Sequence, residues 1–180
     1  MKKRINSNNQ RARGGSGGAR FIREPTATVL HIDDDPNDAE LLEAAMRKAQ
    51  AEFIVHNVAD ADQAMAYLNG QGPYSDRKRY RFPSLILLDL KMPRATGFEV
   101  LKWLRSKPAF TNVPVVVLSG SELHDDIQQA YAVGANSYLV KPLGFNELVA
   151  LVREIDKKWL KSVPSLPPAN GRFKQPEERI

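Results

Sequence analysis

Short apolar runs alternate with helical patterns through the middle of this chain. The runs are predicted to be strands, at Thr28–Ile32, Glu52–Asn57, Ser84–Leu88, Val113–Leu118 and Ser137–Val140. Most of them are unbroken stretches of Val, Leu and Ile rather than alternating apolar and polar positions. Such runs are typical of strands that are buried on both faces of a sheet.

Apolar residues at helical spacing follow each predicted strand. The predicted helices are Pro36–Ala49, Asp60–Leu68, Phe98–Leu104, Glu122–Val133 and a last one whose apolar stripe is Leu148, Leu151, Val152, Ile155 and Trp159. Asp35 is the predicted N-cap of the first helix, with proline at its first position, and Gly134 is the predicted end of the fourth. Strands and helices alternating five times predict an α/β fold with a doubly wound parallel sheet.

Composition separates a core from two tails. Seven of the 26 basic residues, and one of the 21 acidic ones, lie in the first 24 positions, so the net charge of +5 comes from an N-terminal tail. We predict a disordered basic tail at 1–24, one domain at 25–162 and a Pro-rich tail at 163–180. The absence of cysteine excludes disulfides and thiolate chemistry. With no apolar span or signal peptide in the sequence, we expect a cytoplasmic protein that does not engage a membrane.

Polar residues stand where four of the predicted strands end. Asp33, Asp34 and Asp35 follow the first strand, Asp89 the third, Ser119 ends the fourth, and Lys141 follows the fifth. In parallel sheets, ligands bind beyond the carboxyl ends of the strands. Clustered carboxylates repel one another unless a cation joins them, and oxygen ligands of this kind suit Mg²⁺. The lysine and serine could hold phosphoryl oxygens, and an aspartate beside the metal is a plausible nucleophile toward phosphorus.

Four motifs stand at the ends of the predicted strands and follow one another along the chain. They are the segments 29–36 (VLHIDDDP), 85–93 (LILLDLKMP) with Gly97, 115–120 (VVVLSG) and 134–142 (GANSYLVKP). Together, in this order, they resemble the receiver domains of two-component response regulators. The resemblance covers residues 27–160. The long loop before the third strand and the Trp159-Leu160 ending look most like the stand-alone regulators of bacterial phytochrome histidine kinases.

The resemblance implies a role for each residue. Asp89 accepts a phosphoryl group from a phosphohistidine, and Ser119 and Lys141 contact its oxygens. Asp33, Asp34, Asp89 and the main-chain carbonyl of Lys91 hold Mg²⁺. Tyr138 is a switch that follows Ser119, and Lys91 and Ser121 tune hydrolysis. The family also implies the strand order 2-1-3-4-5 and a cis Lys141–Pro142 bond. On this interpretation the chain is not an enzyme on other substrates, because it catalyses only its own phosphotransfer and dephosphorylation.

The implied partner is a histidine kinase, and the resemblance to the stand-alone regulators suggests one of phytochrome type. The resemblance also suggests a homodimer through the fourth helix, fifth strand and fifth helix, with Val149 and the Trp159-Leu160 end expected on the outside. With only 20 residues after position 160, we expect output through protein contacts. The basic residues of the polar loop 69–83 are predicted to be solvated, with an acidic partner as the alternative; they are Arg77, Lys78, Arg79 and Arg81.

Two other functions stay open at this point. A phosphatase-like enzyme with an aspartyl nucleophile is disfavoured, because such enzymes usually carry a second Asp at the position of Lys91. Nucleic-acid binding through the basic tail is possible without specificity, but the core, with a net charge of −1, gives no support for it. The three histidines do not cluster and are expected to have structural or surface roles; they are His31, His56 and His124.

Overall fold

The computed structural model describes residues 27–93 and 95–161, in which five strands alternate with five helices. The strands are β1 (Ala27–Ile32), β2 (Phe53–Val58), β3 (Leu85–Leu88), β4 (Val115–Ser119) and β5 (Ser137–Val140). The helices are α1 (Pro36–Ala49), α2 (Ala61–Asn69), α3 (Gly97–Ser106), α4 (His124–Val133) and α5 (Phe145–Ile155), the last continued by a π-helical turn at Asp156–Leu160. The tails predicted at 1–24 and 163–180 lie outside the described residues.

The strands form one parallel sheet in the order β2-β1-β3-β4-β5, as predicted. The register pairs Ile32 with both Val58 and Leu88, and the amide of Asp89 donates to the carbonyl of Ile32 over 2.9 Å. The ends of β1 and β3 therefore lie side by side in the centre of the sheet. This pairing brings the segments that begin at Asp33 and Asp89 together.

Both faces of the sheet are covered, which explains why the strands are apolar at every position. In β3, Ile86 and Leu88 pack with α2, α3 and α4, whereas Leu85 and Leu87 pack with α1 and α5. All four side chains are at most 1% exposed. Alternate residues of one strand thus enter two separate hydrophobic cores, as in other doubly wound sheets.

Local signals fix the helix termini that frame the site. The Asp35 carboxylate accepts from the amide of Asn37 over 2.8 Å, and Pro36 is the first residue of α1. Gly134 ends α4 with a φ of +107°, a conformation that glycine adopts at little cost. Both predicted caps are confirmed.

The outward orientation predicted for the last helix was wrong at Val149. This side chain is 5% exposed and packs in the core on the α1 side together with Val152 and Ile155. Trp159 and Leu160 pack against the same core and are partly buried. The helix packs against both the sheet and α1, so its apolar arc is wider than a single stripe.

The polar loop 69–83 is more ordered than its composition predicts. Rings of Tyr74 and Tyr80 pack around buried Tyr67, with centroids 5.3 and 6.0 Å away. Arg77, predicted to be solvated, donates to the carbonyls of Leu68 (2.6 Å) and Tyr80 (3.1 Å) and is only partly exposed. The guanidinium therefore anchors the loop, whereas Lys78, Arg79 and Arg81 are exposed.

The cis bond expected between Lys141 and Pro142 was also wrong, since none of the peptide bonds in the described ranges is cis. A trans bond is the preferred form even before proline. The Lys141 ammonium reaches the acidic residues with this bond in trans.

Among residues 27–93 and 95–161, no helix has both the length and the apolarity needed to cross a bilayer.

Candidate phosphoacceptor site

Three carboxylates meet at the carboxyl edge of the sheet. Asp33 and Asp34 follow β1, Asp89 follows β3, and one oxygen from each lies within 4.8 Å of the others. Asp33 and Asp89 are buried, and Asp34 is partly exposed. Because buried like charges repel, this cluster is a place where a cation is stabilised. Asp35, the third acidic residue of the run, points instead into the cap of α1.

Asp33 is the most strongly constrained of the three. Its Oδ2 accepts from Lys141 Nζ over 2.7 Å and lies 3.4 Å from Nε2 of buried His31, while its Oδ1 accepts from the Asp35 amide over 3.1 Å. Burial alone would raise the pKa of Asp33. Hydrogen bonds from His31, Lys141 and that amide outweigh burial and lower the pKa to about 2. Asp33 is therefore ionised at neutral pH.

His31 was expected to be structural, and its position at the site was missed. Its Nδ1 lies 3.0 Å from Asn57 Oδ1, and the Asn57 amide donates to Glu43 over 2.7 Å. His31 thus links β1 to β2 and supports Asp33. The signal in the sequence was its place two residues before Asp33, inside an otherwise apolar strand.

Lys141 lies over the carboxylates from the end of β5. Its Nζ is 2.7 Å from Asp33, 2.6 Å from Asp38 and 3.5 Å from Asp89. Burial alone would lower the pKa of Lys141, but the hydrogen bonds to Asp33 and Asp38 outweigh burial and raise that pKa above its ordinary value. The cation is therefore permanently charged beside Asp89. Sequence reasoning missed Asp38, which lies in the first turn of α1.

Ser119 carries an unsatisfied hydroxyl. Its side chain is 0% exposed, and its Oγ forms no well-aligned hydrogen bond within the described part of the chain, although the Tyr138 hydroxyl lies nearby. A buried hydroxyl without a partner is costly, so it indicates a group that binds there. The amide of Lys141 donates to the Ser119 carbonyl over 2.9 Å, which fixes the two residues beside each other.

Tyr138 and Ser121 are joined across the same edge. Tyr138 is partly buried, and its Oη donates to the Ser121 carbonyl over 2.8 Å. Burial raises the pKa of Tyr138, so the phenol is a neutral donor. The Ser121 hydroxyl in turn donates to Asp126, the third residue of α4. The tyrosine is thereby connected to the loop that follows Ser119.

Gly97 lies directly against the backbone of the central aspartate. A Cβ at this position would be 2.1 Å from the Asp89 carbonyl oxygen and 2.8 Å from the Leu90 Cα. The Gly97 amide also donates to the Leu90 carbonyl over 3.1 Å. Glycine is needed here because the start of α3 packs onto the segment that holds Asp89. Lys91, which follows Leu90 in the segment after β3, is exposed.

The donor set fits a divalent cation. Three carboxylates provide hard oxygen ligands, and their separation of at most 4.8 Å allows them to share one ion.

A parallel five-stranded sheet with these groups at one edge defines a class of phosphoacceptor signalling domains. The sequence profile described as "Response regulator receiver domain" matches residues 29–153, and the chain belongs to this family of two-component signalling proteins. Proteins of the family receive phosphoryl groups from histidine kinases.

Within the family the chain is similar to phytochrome response regulators. It is 34% identical over 145 residues to response regulator Rcp1 of Synechocystis sp., covering 81% of this chain and 96% of Rcp1. The structure of the phosphorylated cyanobacterial phytochrome response regulator RcpA is 34% identical, with a TM-score of 0.69, covering 77% of this chain and 96% of RcpA. The Mn²⁺-bound form of Rcp1 is 31% identical, with a TM-score of 0.67, covering 78% of this chain and 99% of that one.

Proposed function

We propose that Asp89 is the phosphoacceptor of this receiver domain. An Asp89 carboxylate oxygen attacks phosphorus, an acyl phosphate bond forms, and the phosphorus–nitrogen bond of the donor phosphohistidine breaks, with its electron pair left on the imidazole. The Lys141 ammonium, 3.5 Å from Asp89, stabilises the added charge, and the Ser119 hydroxyl donates to a phosphoryl oxygen. The unpartnered Ser119 Oγ is the observation that carries this assignment.

Asp33, Asp34, Asp89 and the Lys91 carbonyl are the residues that would hold the cation, which we propose is Mg²⁺. When bound, the ion would neutralise part of the charge on the phosphoryl oxygens. The partner we propose is a phytochrome-type histidine kinase in the cytoplasm, in keeping with the similarity to Rcp1 and RcpA. The chain itself would catalyse only its own phosphorylation and dephosphorylation.

The test is chemical labelling of the wild-type protein. Incubation with acetyl phosphate and Mg²⁺ should add one phosphoryl group that is labile to base and hydroxylamine, as acyl phosphates are. Reduction with borohydride followed by peptide mass spectrometry should place the modification on Asp89, and EDTA should prevent it. A label on another residue, or labelling unaffected by EDTA, would contradict the proposal.

Asp34 and Asp35 are expected to differ in their effect on metal affinity. Asp34 belongs to the carboxylate cluster, whereas the Asp35 side chain caps α1. Asp34→Asn should weaken Mg²⁺ binding by about tenfold or more. Asp35→Asn should change it much less, since Asn is an equally good cap. Titration with Mn²⁺ followed by electron paramagnetic resonance, with Mg²⁺ as competitor, measures both. Equal losses would refute this division of roles.

Lys91 is proposed to prolong the lifetime of the phosphorylated state. Ser121 is proposed to influence the same lifetime from the opposite side of the path by which water would approach Asp89. Lys91 is exposed two residues after Asp89, and its long stem can obstruct water from approaching in line with the Asp89–phosphorus bond. Lys91→Asn should therefore shorten the lifetime of phosphorylated protein several-fold, because an amide positions water better. Lys107→Asn, also at an exposed lysine, is the control for charge. A longer lifetime in Lys91→Asn would mean that the ammonium assists hydrolysis.

We also propose a homodimer through α4, β5 and the start of α5. Five of the seven large apolar side chains that are exposed among the described residues lie there, and they are Leu123, Tyr131, Val140, Leu143 and Phe145. β5 is also an edge strand. Phosphorylation would strengthen the dimer through Tyr138, which contacts the loop before α4.

Leu143→Asp should abolish self-association, because it would place a charge within the proposed apolar interface. Leu143 is fully exposed, so its replacement leaves the core intact. Leu41→Asp, at an exposed position on α1, is the matched control and should retain it. Sedimentation velocity with and without beryllofluoride, a phosphoryl mimic, gives the oligomeric state. A monomer at every concentration under both conditions would reject the dimer.

A further inference from the structure

The Lys141 ammonium is shared between α1 and the acidic cluster. Its two short contacts are with Asp38 (2.6 Å) and Asp33 (2.7 Å), and its distance to Asp89 is 3.5 Å. An ammonium carries three protons, so these two contacts use two of them. The closest partner of this lysine is thus an α1 carboxylate rather than the residue that we propose as the phosphoacceptor.

Asp38 reaches Lys141 because the start of α1 is fixed. The Asp35 cap and Pro36 set the first turn, and Asp38 follows as its third residue. Its side chain is 34% exposed, while that of Lys141 is 20% exposed. An acidic residue in a first helical turn is stabilised by the helix dipole without any partner. The contact with Lys141, which lies 103 positions away across the sheet edge, is therefore additional to what a first-turn acidic residue needs.

Without Asp38, the ammonium would keep only the partners that belong to the cluster. It would then move toward Asp89, and a tighter ion pair there would compete with a divalent cation for the same carboxylate oxygens. We propose that Asp38 is a positioning residue that holds Lys141 off Asp89 in the unphosphorylated protein and so keeps the Asp89 oxygens available to the cation. This inference rests on the proposed function, since Asp89 oxygens that are kept free for the cation matter only if Asp89 is the phosphoacceptor.

The proposal predicts that Asp38 acts through Lys141 and not by charge alone. Asp38→Asn should weaken Mn²⁺ and Mg²⁺ binding by about three- to tenfold, because the ammonium then competes for Asp89. Lys141→Met should strengthen binding, since the competing cation is gone. In the Lys141→Met background, Asp38→Asn should have only the small effect of a lost charge.

The experiment is a double-mutant cycle read by Mn²⁺ titration with Mg²⁺ competition, using the metal alone as the probe. Glu40→Gln, which removes the same charge from an exposed position on α1, is the matched control, and Asp38→Glu should restore most of the affinity. Circular dichroism verifies that each variant is folded. An Asp38→Asn effect that is equal in both backgrounds, or no larger than that of Glu40→Gln, would overturn the proposal.

The labelling experiment on wild-type protein separates the two hypotheses. If Asp89 of the wild type is not labelled, the proposed function fails whatever the cycle shows. If Asp89 is labelled and the cycle shows no coupling between Asp38 and Lys141, only the positioning role fails.

Discussion

Asp89→Asn is expected to abolish labelling by acetyl phosphate completely. The amide of asparagine has no anionic oxygen to attack phosphorus, and no other carboxylate of the cluster lies at the end of β3. The same substitution should leave the fold intact. The Leu90 amide donates to Asp89 Oδ1 over 2.7 Å, and an asparagine oxygen can accept that bond.

The stability of Asp89→Asn should equal or slightly exceed that of the wild type. Asp33, Asp34 and Asp89 repel one another, so the removal of one charge relieves repulsion at the sheet edge. Thermal unfolding without metal measures this effect, and Asp35→Asn, which retains the acceptor, is the labelling control. Labelling of Asp89→Asn at the wild-type level would show that the acceptor lies elsewhere.

The sheet and most of the site could be predicted because their signals are local. Each strand is a short apolar run that ends at a polar residue, and the parallel topology brings those ends to one edge. Asp33, Asp34 and Asp89 lie together as that argument requires. The lysine after β5 reaches two of them, Asp33 and Asp89.

Features that depend on packing between distant segments could not be predicted. Val149 was placed outside because periodicity gives the spacing of an apolar arc but not its centre, and α5 packs against both the sheet and α1. The loop 69–83 is polar in composition, yet Tyr74 and Tyr80 anchor it on Tyr67.

Two groups of the site were missed because each has an ordinary local explanation. Asp38 is an acidic residue in a first helical turn, and His31 is a single histidine in a strand. Only the tertiary structure shows that Asp38 contacts Lys141 and that His31 contacts Asp33. Lys141 and Asp33 are the groups that lie next to the candidate phosphoacceptor.

Gly97→Ala is expected to cause the largest loss of stability among the substitutions considered. The added Cβ would lie 2.1 Å from the Asp89 carbonyl oxygen, and the obstructing atoms belong to the backbone rather than to a flexible side chain. Relief requires α3 or the segment after β3 to move, so the free energy of unfolding should fall by about 3 kcal/mol or more. Cation affinity should fall as well, because the same movement displaces Asp89.

Gly120→Ala is the matched control for this experiment. Gly120 also lies at the carboxyl edge of the sheet, directly after Ser119, but a Cβ there would have no atom within 4 Å. Its replacement should change the free energy of unfolding by less than about 1 kcal/mol. Urea denaturation of both variants, together with Mn²⁺ titration, measures the difference. Equal stability of Gly97→Ala and Gly120→Ala would mean that α3 can shift freely, and the close approach of Gly97 would then not be what holds Asp89 in place.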